Sequence, residues 1–255
     1  MKKLLIILIG LIIFVIGFNI YRNMGFNLGS NSVDNVYLGN NQIDKIYQGG
    51  DLIWEHDTTL TEIWGTEIVE VTNPITGRTW MDRNLGATRA ATSSTDSEAY
   101  GHLFQWGRNP DGHELRTSET TTTLSSTDVP GHGDFITSSS SPYDWRSPQN
   151  HNLWQGDIVA GWRLPTVVEL EEERLSWSSN NADGAYNSVL KLPSSGSRDG
   201  SSGSLGSVGS YGAYWSSTVD GNSSRLLLFL SSIAVTNLSH RAYGSSVRLI
   251  KDQSI

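Results

Sequence analysis

Cysteine is absent from all 255 residues. That excludes a disulfide framework, a thiolate zinc site, a cysteine nucleophile and a lipid-attachment cysteine. A chain of this length can fill a core without staples, so the redox compartment stays open. Basic runs are missing beyond Lys2 and Lys3: 18 Lys and Arg stand against 26 Asp and Glu, a net charge of −8. Nucleic-acid binding needs a basic stripe to displace counterions, so no nucleic-acid partner is expected. There is no Gly-rich phosphate loop with its Lys, no dinucleotide fingerprint and no Gly-x-Ser-x-Gly elbow. His102, His113, His132 and His151 are widely spaced and sit in Gly-rich surroundings, which argues against a shared metal site. Asp82 and Asp144 read as turn caps rather than an acid–base pair. No catalytic residue, no metal and no cofactor is expected.

One long apolar run is present. It extends from Leu4 to Phe18 and on to Tyr21, behind Lys2 and Lys3. About 18 helical residues span roughly 27 Å, enough for a bilayer core. No small-x-small cleavage site follows. The expectation is an apolar helix over residues 4–21 that anchors the chain, lysines inside and the remainder outside. Segment 1–23 is then a signal anchor or a signal peptide, and the protein membrane-anchored, extracytoplasmic or at the cell surface. Met24 offers a second start that would leave a complete soluble protein.

Residues 24–56 contain a repeat with a period of ten. VDNVYLGNNQ from Val33 is followed by IDKIYQGGDL from Ile43. Each unit gives a short apolar stretch and a turn cluster, Gly39-Asn40-Asn41 or Gly49-Gly50-Asp51, so the pattern predicts short strands joined by tight turns. Two such strands bury no core alone. They form either a hairpin leading into the next domain, a stalk, or a homo-oligomer contact through residues 33–54.

The main domain is expected over 61–252. GTEIVEVTNPITGRTWMDRNLG reads as strand, turn, strand, with Ile68 and Val71 facing inward. Thr117 to Ser141 and Ser194 to Gly212 are dominated by Ser, Thr and Gly and read as surface loops. Thr166 and Glu169 form the capping box of a helix whose Val167, Leu170 and Trp177 share a face. Glu171, Glu172 and Glu173 read as its solvated side, since consecutive helical positions point apart. Strands are expected around Tyr214–Ser217, Arg225–Leu230 and Ser246–Ile250.

Six blocks in order, WMDRNLGA, YGHLFQWGR, SPYDWRSPQNHNLWQG, GWRLPT, YWSST and RAYGSSVRLIKD, resemble the Fibrobacter major paralogous domain family over residues 61–252. The resemblance implies an α+β, C-type-lectin-like fold, also that of formylglycine-generating enzymes: mostly β and loop with few helices. Two family cysteines match Ile158 and Leu249 here, so an Ile158–Leu249 contact is expected in their place. The chain lacks the cysteines on which the sulfatase-modifying enzymes of related fold depend. It also lacks the Glu-Pro-Asn and Gln-Pro-Asp tripeptides of calcium-dependent sugar binding. The repeat near the start resembles short modules of phage tail proteins, which implies a virion location if translation begins at Met24.

Some family members are the variable proteins of diversity-generating retroelements, in which adenines of a carboxy-terminal cassette are randomised. Such codons never become Lys, Glu, Gln, Met or Trp, and none of these occurs from Val219 to Ser246. Laid on that pattern, Arg225, Leu227, Phe229, Ser231, Ser232, Ala234 and 241–244 are fixed. Leu226, Leu228, Leu230, Ile233, Val235, Asn237, Leu238, Ser239, His240 and Ser245 are variable and ligand-binding, with Thr236 an eleventh. Strand alternation agrees with the assignment, placing Leu227 and Phe229 on one face and the three other leucines on the opposite one. A strand buried on both faces gives the same continuous apolar run. The expected function is non-enzymatic binding of a macromolecular ligand, a protein or cell-surface receptor, through this face. The alternatives are a structural virion or surface protein and, more distantly, an enzyme of the sulfatase-modifying fold.

Overall fold

The computed structural model describes Val36–Leu38, Asn41–Ile43, Lys45–Gln48, Asp51–Glu55 and residues 60–159 and 161–252. The chain divides into two compact units between Leu60 and Thr61. In the first, Val36–Leu38 pairs antiparallel with Asn41–Ile43, and Lys45–Gln48 with Asp51–Glu55.

The second unit is mostly β and loop with few short helices, an α+β architecture. A five-stranded antiparallel sheet runs in the order Asp157–Val159, Trp162–Arg163, Ile250–Lys251, Thr79–Met81, Glu70–Thr72. The last described strand thus lies between Thr79–Met81, near the start of the unit, and Trp162–Arg163, near its middle, so the two ends of the unit are tied together. Leu205–Gly206, Ser197–Arg198, Gly244–Ser245 and Phe104–Gln105 form a four-stranded sheet. Gly212–Asp220, Ser223–Phe229 and Ala234–His240 form the longest, three-stranded one. Two helices follow one another, α1 over Val167–Leu175 and α2 over Ala182–Asn187. The Thr166 side chain accepts the Glu169 N–H while Glu169 reaches back to the Thr166 N–H, so α1 starts at a reciprocal cap.

The three-stranded sheet separates two cores. One contains Trp106, Trp154, Trp162, Ala213, Trp215, Leu226 and Leu249; Ile158 packs against this same cluster. The other contains Trp80, Leu170, Trp177, Ala185, Tyr214, Leu227, Phe229 and Ala234. Successive residues from Leu226 to Phe229 enter opposite cores, so the middle of LLLFL is a strand buried on both faces. At Gly212 an added Cβ would lie 2.2 Å from Cζ of Phe229. Only glycine lets that ring close over the neighbouring strand.

Several sequence expectations are corrected. The two polar loops are not mere surface: Phe135–Ile136 is fully buried and pairs in parallel with Thr120–Thr121. Within the second loop Ser194 and Ser195 are buried and Ser197–Arg198 is a strand. Glu173 is not on a solvated side. It is buried, accepting from Asn73 Nδ2 at 2.7 Å and Trp177 Nε1 at 3.1 Å. Of the strand expected at Ser246–Ile250, only Ile250 is in a strand, that of Ile250–Lys251, with Gly244–Ser245 just before the expected span. The membrane-anchored localisation is corrected too: among the described residues no helix is long and apolar enough to cross a membrane. The apolar segment 4–21 lies outside the described residues, and membrane anchoring is not carried forward.

Candidate functional site

The candidate site is built on the outermost strand of the three-stranded sheet, Ala234–His240. Among the described residues it pairs on one side only, with Ser223–Phe229, in a continuous seven-residue register from Ser223↔His240 to Phe229↔Ala234. Residues opposite each other share a face. One face therefore holds Leu228 with Val235, Leu226 with Asn237 and Ser224 with Ser239. The other holds Leu227 with Thr236, Arg225 with Leu238 and Ser223 with His240. A turn closed by the Leu230 N–H donating to the Ile233 carbonyl at 2.8 Å joins the two strands.

Burial sorts the expected variable residues differently from strand alternation. Leu226 is only 2% exposed and belongs to the first core. Ser245 is buried as well, in a strand paired with Phe104–Gln105. Neither can meet a ligand, which corrects their assignment. The reason for the first is Trp215, registered opposite Leu226 on the same face and itself sealed inside the first core. Leu228, Val235, Thr236 and Ser239 are half-buried. Asn237 and His240 are exposed, and Leu230, Ile233 and Leu238 are 38%, 42% and 47% exposed. The accessible side chains follow the outer strand and its turn, on both faces of the strand, rather than one face of the sheet.

Both ends of the strand are fixed from within. Ala234 is buried in the second core at its start. Beyond its end, Arg241 is buried with its guanidinium 4.4 Å from the Trp106 ring centroid. Its Nε donates to Ser224 Oγ at 3.1 Å, Nη1 to the Asn150 carbonyl, and Nη2 to His151 Nδ1 at 2.9 Å and the Ser223 carbonyl. Every guanidinium nitrogen is used, so the residue is a rigid closure rather than a free cation. Along the strand the Leu238 N–H donates to Asn237 Oδ1 at 2.8 Å. Arg225, opposite Leu238, is held by Asp220 at 2.8 Å.

One residue outside the cassette joins this surface. The Tyr143 ring stacks on His240 with centroids 4.5 Å apart and planes 29° apart. Tyr143 holds a positive φ of 59°, and its carbonyl accepts the Ala242 N–H. Sequence reasoning missed it because nothing local marks a pairing across almost a hundred positions.

Among the described residues one group has the donor set of a metal site: Asp111, His113 and Glu114, with ligand atoms within 4.8 Å of one another. It includes only one of the four histidines noted in the sequence. Its donors are already engaged. His113 Nε2 accepts the Gln105 N–H at 3.2 Å, leaving the proton on Nδ1, which donates to Asp111 Oδ1 at 2.8 Å. Asp111 Oδ2 accepts from Arg108 Nε at 2.9 Å, and Glu114 Oε2 accepts the N–H groups of Asp111 and Gly112. Burial holds the His113 imidazolium down, against the pull of Asp111. The group is a self-satisfied turn. Asp144, in turn, is buried and accepts from Gln149 Nε2 at 2.8 Å and the Arg146 N–H; burial raises its pKa.

Comparison of the chain with family models, curated proteins and solved structures yields no match.

Proposed function

We propose that the protein is a binding protein whose contact surface is the Ala234–His240 strand, the Leu230–Ile233 turn and Tyr143. The domain is proposed to be C-type-lectin-like, of the kind whose carboxy-terminal cassette is diversified by a retroelement. The observation that carries the reading is the exposure of Leu238 on a strand, and of Leu230 and Ile233 in the turn that leads into it, where the neighbouring strand is locked into two cores. Exposed apolar side chains on a rigid element mark an interaction surface. Completing the burial of each would contribute about 1 kcal/mol before association costs. That scale suits a protein partner that also covers Leu228, Val235 and the Tyr143–His240 stack.

The test is a displayed library of the full chain randomised at 230, 233, 237, 238 and 240. Most members are expected to fold, and selection against unrelated protein targets to give binders that need those positions. A library that unfolds wholesale would refute the reading. Diversification has its own test, the sequence of the surrounding locus. It requires a near-copy of the cassette carrying adenines at these codons, beside a reverse transcriptase gene.

A further inference from the structure

Five arginines of the second unit are buried, and each spends all its guanidinium nitrogens. Arg83 donates to Asp82, Glu67 and the Thr88 carbonyl. Arg108 donates to Asp111, Gln105 and the Asp134 and His132 carbonyls. Arg198 donates to the Gly203, Leu115 and Ser118 carbonyls and to Ser118 Oγ. Arg248 donates to Asn84 Oδ1 and the Met81 and Leu190 carbonyls. Arg241 is described above. This fold consistently surrounds an inward-pointing guanidinium with acceptors.

Arg116 departs from that habit. Its Nε donates to the Gly101 carbonyl at 2.9 Å, but Nη1 and Nη2 are buried with no hydrogen-bond partner. No carboxylate among the described residues lies within ion-pair distance of it. The Tyr100 ring lies beneath, 5.3 Å from Cζ to centroid. His102 is close enough for the Arg116 charge to oppose its protonation. Nη1 and Nη2 carry four N–H groups in one plane, and the two that converge on their shared edge form the flat fork that fits two oxygens of one ligand. Burying such donors unpaired costs about 1–3 kcal/mol, and more for a charged group. Aromatic contact leaves those hydrogens without acceptors in the plane of the guanidinium. Burial lowers the Arg116 pKa, as expected for a cation without a counterion.

We propose that the Nη1/Nη2 edge of Arg116, beside the Tyr100 ring, is a binding site for a small carboxylate-type oxyanion drawn from solvent. The site is separate from the outer strand and does not depend on the binding function proposed for it.

The experiment follows the melting temperature of the full chain at constant ionic strength while chloride is replaced by acetate. A saturable rise is expected, about 5–10 °C at a hundredfold excess over Kd for a unit of this size. Arg116→Gln should abolish the rise, and Arg116→Lys, which keeps the charge but loses the fork, should weaken it. If Arg116→Gln does not fold, titration of the wild type with ¹³C-labelled acetate followed by NMR replaces it, saturable broadening being the expected result. Identical melting in acetate and chloride would overturn the proposal. So would a response that survives Arg116→Gln, or an acetate signal that does not saturate.

Discussion

Truncating Leu226 tests whether the leucine run is scaffold at its centre. The side chain is 2% exposed and shares the first core with Trp215, Ala213 and Val247. Leu226→Ala removes buried methyl groups and leaves a space that a tryptophan-walled core cannot readily collapse. The expected loss is about 2–5 kcal/mol. For a unit of this size that is a fall in Tm of roughly 4–20 °C. Leu238, on the neighbouring strand, is 47% exposed; Leu238→Ala should change stability by about 0.5 kcal/mol or less. Calorimetry and urea titration of the two variants give the comparison, with m unchanged for both. Equal losses, or a larger loss at Leu238, would refute the assignment of Leu226 to the core and Leu238 to the surface.

Other perturbations probe the scaffold. Gly212→Ala drives a methyl group into the Phe229 ring, whose Cζ would lie 2.2 Å away; a loss of about 1–3 kcal/mol is expected in denaturant titration. Glu169 provides a pH signature. Burial pushes its pKa up, but hydrogen bonds from Arg163 and from the Thr166 N–H outweigh burial and hold it down at about 2. A carboxylate with a depressed folded value adds stability that is complete above its ordinary value near 4.5 and is lost as pH falls towards 2. Urea midpoints should decline across that window, and Glu169→Gln should flatten the part of the decline that belongs to this group.

What the sequence made legible was local. The α1 cap could be read because Thr166 and Glu169 are three residues apart and bond to each other's backbone. The strands around Trp215 and Leu227 followed from apolar runs bounded by Gly and Ser. The fate of Leu226 could not be read this way, because continuous apolar residues fit both a displayed face and a doubly buried strand. The decision lies with Trp215 across the sheet. Glu173 was placed on the wrong side of its helix for a similar reason: its partner Asn73 lies 100 positions earlier. Phe135 and Ile136 were hidden in a stretch of Ser, Thr, Asp and Gly, where two apolar residues carry no period. Of the candidate site, the turn at Leu230–Ile233 and the outer strand were foreseen as contact positions, whereas Tyr143 was not.

The most direct test is hydroxyl-radical footprinting of the full chain read residue by residue by mass spectrometry. Leu230, Ile233 and Leu238 should be oxidised readily, while Leu226, Leu227 and Phe229 should be protected until the fold melts. Protection of Leu230, Ile233 and Leu238 in the isolated protein, or rapid oxidation of Leu226, would contradict an outer strand presented for binding on a doubly packed sheet.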